Sequence, residues 1–272
     1  GVSAHVTERR RQLVEAIAER LALNTVSVYD WLTGLPTEHM DTSPLRELAA
    51  FTPEVLRATV RPFVGVLKKQ YRMHPSLSRV PRELFYSGEA LHDGRPNGDG
   101  TCRVQLVQVS DDHAERESNV REVERICALL SGLDGRVAAR ERRPEVMVIT
   151  PYRAQEDLLQ RSLDDLRLRG LLAHVEVEVC TLDRCQGREA EFVMISLVRD
   201  RATPFLDMPK RWNVALTRAR EGLFVIGNIN AYLDEAARER RDPRALRAGR
   251  VQMSLIARVL EAYREQIQRG QS

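Results

Sequence analysis

At 272 residues, with a hydrophobic share of 43% and an aromatic share of 5%, the chain has enough apolar material for a sizeable core and the composition of an ordinary α/β protein. A formal net charge of +3 is too small to argue nucleic-acid binding from bulk electrostatics, and no apolar run is long enough to span a bilayer. Cys102, Cys127, Cys180 and Cys185 contain no C-x-x-C pair and the histidines are scattered, so neither a zinc site nor a disulfide framework is supported; free thiols in a reducing intracellular compartment, nuclear or cytoplasmic, are expected.

Residues 4–22 place Leu13, Ala16, Ile17 and Leu21 at helical spacing beneath an Arg/Glu face, which predicts an amphipathic helix. Residues 25–62 mix Val26, Val28, Tyr29 and Trp31 with Gly34, Pro36, Pro44 and Pro53, a short apolar anchor followed by an irregular lead-in. A strand is expected near Phe63 to Leu67, a polar turn at Gly94 to Gly100, and a strand from Arg103 to Val109. Residues 117–132 predict a helix with Val120, Val123, Ile126, Cys127 and Leu130 on one side, and Val146 to Thr150 returns as a strand.

A second amphipathic helix follows over residues 153–169, with Leu158, Leu159, Leu163 and Leu166 facing inward. Two β-branched, apolar-rich runs, Val175 to Leu182 and Phe192 to Val198, flank a polar loop containing Gln186, Gly187, Arg188 and Glu189. The segment from Arg211 to Asn228 puts several guanidiniums beside a polar turn and runs into another buried strand; on a helix, Arg218 and Arg220 point in different directions. Asn230 to Gln268 reads as two helices parted by Asp242 and Pro243, with Leu255, Ile256, Val259, Leu260 and Tyr263 as a packing stripe. The strand–helix alternation predicts an α/β fold: a mostly parallel sheet covered on both faces, with functional loops at the strand C-terminal ends.

The chemistry concentrates in four blocks in fixed order: QYRMHPSLS from Gln70, TPYRAQ from Thr150, TLDRCQGRE from Thr181 and RWNVALTRAR from Arg211. Arginine is a planar, permanently charged donor suited to phosphate, Gly187 permits positive φ or close backbone approach, and Glu189 offers an acceptor. Thr150, Tyr152, Gln155 and Thr181 are polar or half-polar groups at predicted strand ends or a first helical turn, where orphan backbone donors favour phosphate, and Pro151 suits a first helical position.

From about Lys68 to Asn228 these blocks resemble the second, RecA-like motor domain of superfamily 1 helicases, in the branch of the nonsense-mediated-decay helicase and senataxin. The resemblance implies that Arg218 is an arginine finger on the transferring phosphoryl group and that Arg72 is a second γ-phosphate contact. It further implies that Tyr71 lies near adenine, that Glu189 and Gly187 belong to the loop contacting ribose or γ-phosphate, and that Arg220 is a structural or coupling arginine. Thr150, Pro151, Tyr152, Gln155 and Thr181 would line a single-stranded RNA or DNA track that reads little sequence.

No G-x-x-x-x-G-K-[ST] loop and no acidic Walker-B strand occurs in the chain. In the resembled family these belong to a first motor domain of the same polypeptide, which holds ATP and Mg²⁺ in the cleft between the two. The chain therefore reads as the C-terminal half of a 5′-to-3′ helicase, inactive by itself and open to regulatory protein partners. Residues 1–62 would be a lead-in, 63–229 the RecA-like unit and 230–272 helices packed on it. A second reading stays open: a catalytically retired helicase module acting as a protein-interaction or nucleic-acid-binding scaffold.

Overall fold

The computed structural model describes residues 69–86, 91–96, 102–110, 117–203, 206–241 and 254–270. The predicted helix over residues 4–22, the segment 25–62, the strand near Phe63 to Leu67, the end of the turn at Gly100 and the break at Asp242 and Pro243 lie outside them. In chain order the elements are β1 (Lys69–Gln70), α1 (Pro75–Phe85), β2 (His92–Asp93), β3 (Val104–Gln108), α2 (Val120–Val137), β4 (Glu145–Thr150) and α3 (Arg153–Leu168). There follow β5 (Glu176–Thr181), β6 (Ala190–Ser196), α4 (Pro209–Leu216), β7 (Ala219–Gly227), α5 (Ile229–Arg241) and α6 (Leu255–Gly270).

Five strands form one sheet in the order β3-β7-β6-β4-β5, every neighbouring pair parallel, and β1 and β2 form a separate parallel ribbon. A parallel sheet buried on both faces needs apolar side chains at successive positions, and β4 supplies them. Its Met147 and Ile149 enter one core with Leu77, Trp212, Tyr232 and Tyr263 from α1, α4, α5 and α6, whereas Val146 and Val148 enter a second core with Ile126, Leu130, Leu159 and Leu163 from α2 and α3. The connection from β5 to β6 contains no helix, and its Leu182 and Cys185 fill the first core instead. This is the RecA-like α/β arrangement expected from the sequence.

The predicted inward stripes hold in the main, with differences at helix ends. Leu255, Ile256, Val259, Leu260 and Tyr263 are buried, as are Leu159 and Leu163, while Leu158 and Leu166 are partly buried. Val120 is 57% exposed, because α2 begins there, capped by the Asn119 side chain accepting from the Glu122 N–H. The helix runs on to Val137 despite Gly132 and Gly135, since Val137 and Asp134 are buried at its far end.

Asp134 earns that burial by hydrogen bonding. Its Oδ1 accepts from the His174 backbone N–H at 2.6 Å, and its Oδ2 lies 3.0 Å from His174 Nδ1, fastening α2 to the loop before β5. Burial pushes the carboxyl up, yet the bonds from His174 outweigh it and hold Asp134 below its ordinary value of 3.8. A depressed carboxylate means that the unfolded chain binds more protons, so the stabilisation is present above about pH 4 and drains away as pH falls through the folded value. Asp134→Asn is expected to cost about 1–3 kcal/mol near neutrality. The difference from wild type should shrink toward zero in acid, as read by denaturant melts across pH.

Candidate active site

Helix α4 delivers the first arginine. Pro209 stands at its first turn, where a missing N–H costs nothing, and Trp212, 1% exposed, anchors it by donating its indole N–H to the Leu206 carbonyl. The helix stops at Leu216, and the Thr217 hydroxyl donates back to the Asn213 carbonyl at 2.7 Å. Arg218 therefore sits in a turn and Arg220 on β7, so the two do not share a helix. They diverge because the chain has already changed from helix to strand.

The Arg218 side chain is folded against its own loops. Its Nε donates to the Val214 carbonyl at 2.9 Å, Nη1 to the Arg188 carbonyl at 2.8 Å and Nη2 to Thr217 Oγ1 at 3.2 Å. Burial lowers its pKa and the neighbouring Arg72 charge lowers it further, offset in part by Cys185 and Glu189, yet a guanidinium remains a cation at neutral pH. Behind it, the Cys180 thiol is pushed up and the Cys185 thiol pulled down by the hydrogen bond between them, and both are buried.

Arg72 reaches the same turn from the segment after β1. Its Nε donates to Glu189 Oε2 at 2.5 Å and its Nη1 to the Thr217 carbonyl at 3.4 Å. Arg220 approaches Glu189 from the other side, Nη1 to Oε1 at 3.6 Å, while its Nη2 holds Glu145 at 2.9 Å. Glu189 thus sits between two guanidiniums, with a third beside them. With about 40% of the Glu189 side chain exposed, such a pair contributes about 0–1 kcal/mol, so its consequence is positional.

Gly187 has φ +80 in the connection leading to Glu189, and a Cβ there would meet nothing within 4 Å; backbone conformation, not space, demands glycine. Tyr71 is 65% exposed beside Arg72, an aromatic face turned outward. Because Glu189 precedes β6 and Arg218 precedes β7, the cluster lies at the N-terminal ends of these strands. The expected position at strand C-terminal ends is met by Thr150 and Thr181, which end β4 and β5, and not by Glu189 and Arg218. Guanidiniums and one already engaged carboxylate suit anionic phosphate oxygens and do not suit a metal, and among the described residues no group of His, Cys, Asp and Glu could hold one.

The remaining candidates collect at the opposite edge. Thr150 and Thr181 are register partners at the ends of β4 and β5; Thr150 is fully buried with its hydroxyl lacking a hydrogen-bond partner, and Thr181 is 8% exposed. Pro151 is buried, and Tyr152 is half-buried with the Arg199 guanidinium 5.1 Å from its ring centre. Gln155 does not face outward at all. It is 0% exposed, accepts from the Asn119 N–H at 2.7 Å and donates to the Asn119 carbonyl at 3.2 Å and Ser196 Oγ at 3.0 Å.

Sequence reasoning missed the rest of that buried network. Glu122, 0% exposed, accepts from Ser196 Oγ at 2.6 Å and from the Val198 N–H at 3.0 Å, and Val198 has φ +69, a conformation a β-branched residue adopts only when its surroundings impose it. A glutamate on the apolar face of a predicted helix is the one sequence signal for it. Tyr232 adds its hydroxyl against the Arg199 carbonyl at 2.8 Å, which fixes the loop that carries Arg199 over Tyr152.

A family model of an AAA domain matches residues 54–230. The chain belongs to that AAA domain family. The chain is similar to helicases and to regulators of nonsense transcripts. It is 32% identical over 185 residues to a regulator of nonsense transcripts 1 homolog of Neurospora crassa, covering 60% of this chain and 16% of that protein. A 5'-3' DNA helicase of Mus musculus is 29% identical over 179 residues, 61% of this chain and 9% of that protein. An uncharacterized ATP-dependent helicase of Methanocaldococcus jannaschii is 30% identical over 192 residues, 62% of this chain and 27% of that protein. The chain thus spans only a minor part of the length of these relatives. None of its described helices is long and apolar enough to cross a membrane.

The contrast between Gln155 and Tyr152 is measurable. Gln155→Ala strands the Asn119 N–H and is expected to lower stability by about 2–3 kcal/mol in a thermal or denaturant melt. Tyr152→Ala is expected to melt within about 1 kcal/mol of wild type, because its ring is only half-buried.

Proposed function

We propose that this chain is the C-terminal half of an ATP-dependent helicase that moves 5′ to 3′ on single-stranded RNA or DNA. One observation carries the reading: Arg72, Arg218 and Glu189, from three separate segments, converge on one turn, with Thr217 touched by both arginines. In this reading ATP lies between the cluster and a first motor domain, which also holds Mg²⁺; the metal supplies charge neutralisation on the phosphates. Arg218 stabilises charge on the transferring phosphoryl group. Arg72 binds the same group, and Tyr71 offers its exposed ring to adenine.

Only three of the five guanidinium N–H groups of Arg218 are engaged, which leaves donors for an anionic oxygen while the other three hold the fork in place. Glu189, bridging Arg72 and Arg220, keeps like charges together until phosphate arrives, and then serves the ribose or γ-phosphate side. Arg220, tied to Glu145, couples the cluster to β4. At the other edge Tyr152 and the ends of β4 and β5 contribute to the strand track, with Gln155 as its internal support.

Joined to the first motor domain, Arg218→Ala is expected to lower nucleic-acid-stimulated ATP turnover roughly a thousandfold, the usual value of such a residue. Unchanged turnover would instead favour the scaffold reading. The isolated chain, lacking a phosphate-cradling glycine loop, should bind ATP more weakly than about 1 mM by calorimetry, and single strands in a strongly salt-dependent way. Micromolar ATP affinity would contradict the half-site reading.

A further inference from the structure

The segment from His92 to Arg95 contains none of the site residues, yet it is bonded to the segments that bear them. Asp93 Oδ1 accepts from Gln70 Nε2 and from Ser78 Oγ, each at 2.5 Å, and Oδ2 pairs with Arg82 at 3.2 Å. The Gly94 N–H donates to the Gln70 carbonyl at 2.7 Å. Gly94 also lies under Tyr71, since a Cβ there would fall within 2.6 Å of three of its ring atoms.

Arg95 completes the strap. Its Nη1 donates to the main-chain carbonyls of Arg72 at 3.1 Å and of Arg220 at 3.2 Å, and its Nη2 pairs with Glu221 at 2.7 Å. The other Glu221 oxygen holds Arg103 at 2.6 Å. The Arg220 carbonyl also accepts from the His74 N–H at 2.9 Å, so two donors lock it to the segment that bears Arg72.

We propose that Arg95 is a positioning residue for phosphoryl transfer: by clamping the carbonyls of Arg72 and Arg220 it sets the spacing of their guanidiniums about Glu189. This deepens the helicase reading and rests on it. A planar fork is needed, because one group must satisfy two carbonyls and a carboxylate in fixed directions; a lysine ammonium is a point charge on a flexible stem. Arg103 is the matched control. It shares Glu221 and is equally exposed at 31%, but Arg95 alone of the two reaches the carbonyls of the site arginines.

The test compares wild type, Arg95→Ala, Arg95→Lys, Arg103→Ala and Arg218→Ala, each in the chain joined to its first motor domain, by steady-state ATP hydrolysis with single-stranded nucleic acid and by thermal unfolding. Arg95→Ala is expected to lower kcat about ten- to a hundredfold, the range set by a misplacement of about 1 Å, with a smaller change in KM. Arg95→Lys should fail to restore kcat, and Arg103→Ala should keep it while melting within a few degrees of Arg95→Ala. If Arg218→Ala is impaired but Arg95→Ala and Arg103→Ala share the same kcat, the positioning role is overturned and the helicase reading stands. Unimpaired Arg218→Ala overturns both. Should Arg95→Ala not fold, Arg95→Lys carries the same comparison, and wild-type kcat in it would overturn the proposal.

Discussion

Bringing several guanidiniums to one turn is the constraint on which this structure depends. Like charges at such range repel, and the repulsion must be met by acceptors that are themselves fixed. Glu189 meets it between Arg72 and Arg220, and three acceptors within the surrounding loops meet it around Arg218. None of these contacts need be strong. What matters is that Glu189 and the Arg188 carbonyl come from a different segment than the arginines they engage, so satisfying the charge also fixes where the segments stand.

The parallel sheet makes this possible and divides the labour between its edges. Parallel strands put the residues preceding β6 and β7 at one edge, where the arginines gather, and the residues ending β4 and β5 at the other. The second edge is stiffened by a buried polar network in which Glu122, Asn119, Gln155 and Ser196 satisfy one another. A fully satisfied network of this kind specifies a single arrangement, whereas a half-satisfied one would cost more than an apolar core. Val198 in a left-handed conformation is held there by the Glu122 carboxylate, and the backbone beyond it points Arg199 at Tyr152.

Much of this was legible in the sequence. Apolar runs at β4, β6 and β7 and the amphipathic spacing of α2 and α3 specify the covered sheet, because burial on both faces leaves few alternatives. The convergence of Arg72, Glu189 and Arg218 was legible only through the order of the motif blocks, since no local rule brings residues so distant in the chain together. Periodicity misplaced Val120 because a cap at Asn119, not the apolar stripe, decides where α2 starts. It also could not reveal Gln155 as an internal strut, because a glutamine in a first helical turn looks the same whether its amide meets solvent or a neighbouring helix. Glu122 was hidden for the same reason. Its partners Ser196 and Val198, at the end of β6 and just beyond it, lie far along the chain.

The connection from Thr181 to Glu189 is where the two edges meet. It leaves β5 at one edge and enters β6 at the other with no helix to stiffen it, so its conformation is set by side chains. Arg184 pairs with Glu156 on α3 at 2.9 Å, Asp183 with Arg211 on α4 at 2.8 Å, and Cys185 is buried in the core beneath the sheet. At its far end the Arg188 carbonyl receives Arg218, and the next residue is Glu189. Gly187, free of steric neighbours but at positive φ, is the place where the backbone can turn between these anchors. A shift of Glu189 toward a phosphate must therefore be absorbed between Cys185 and Ala190, a span of a few residues. Within that span the one left-handed position is a glycine, and the Arg188 carbonyl is a ligand of the buried arginine itself.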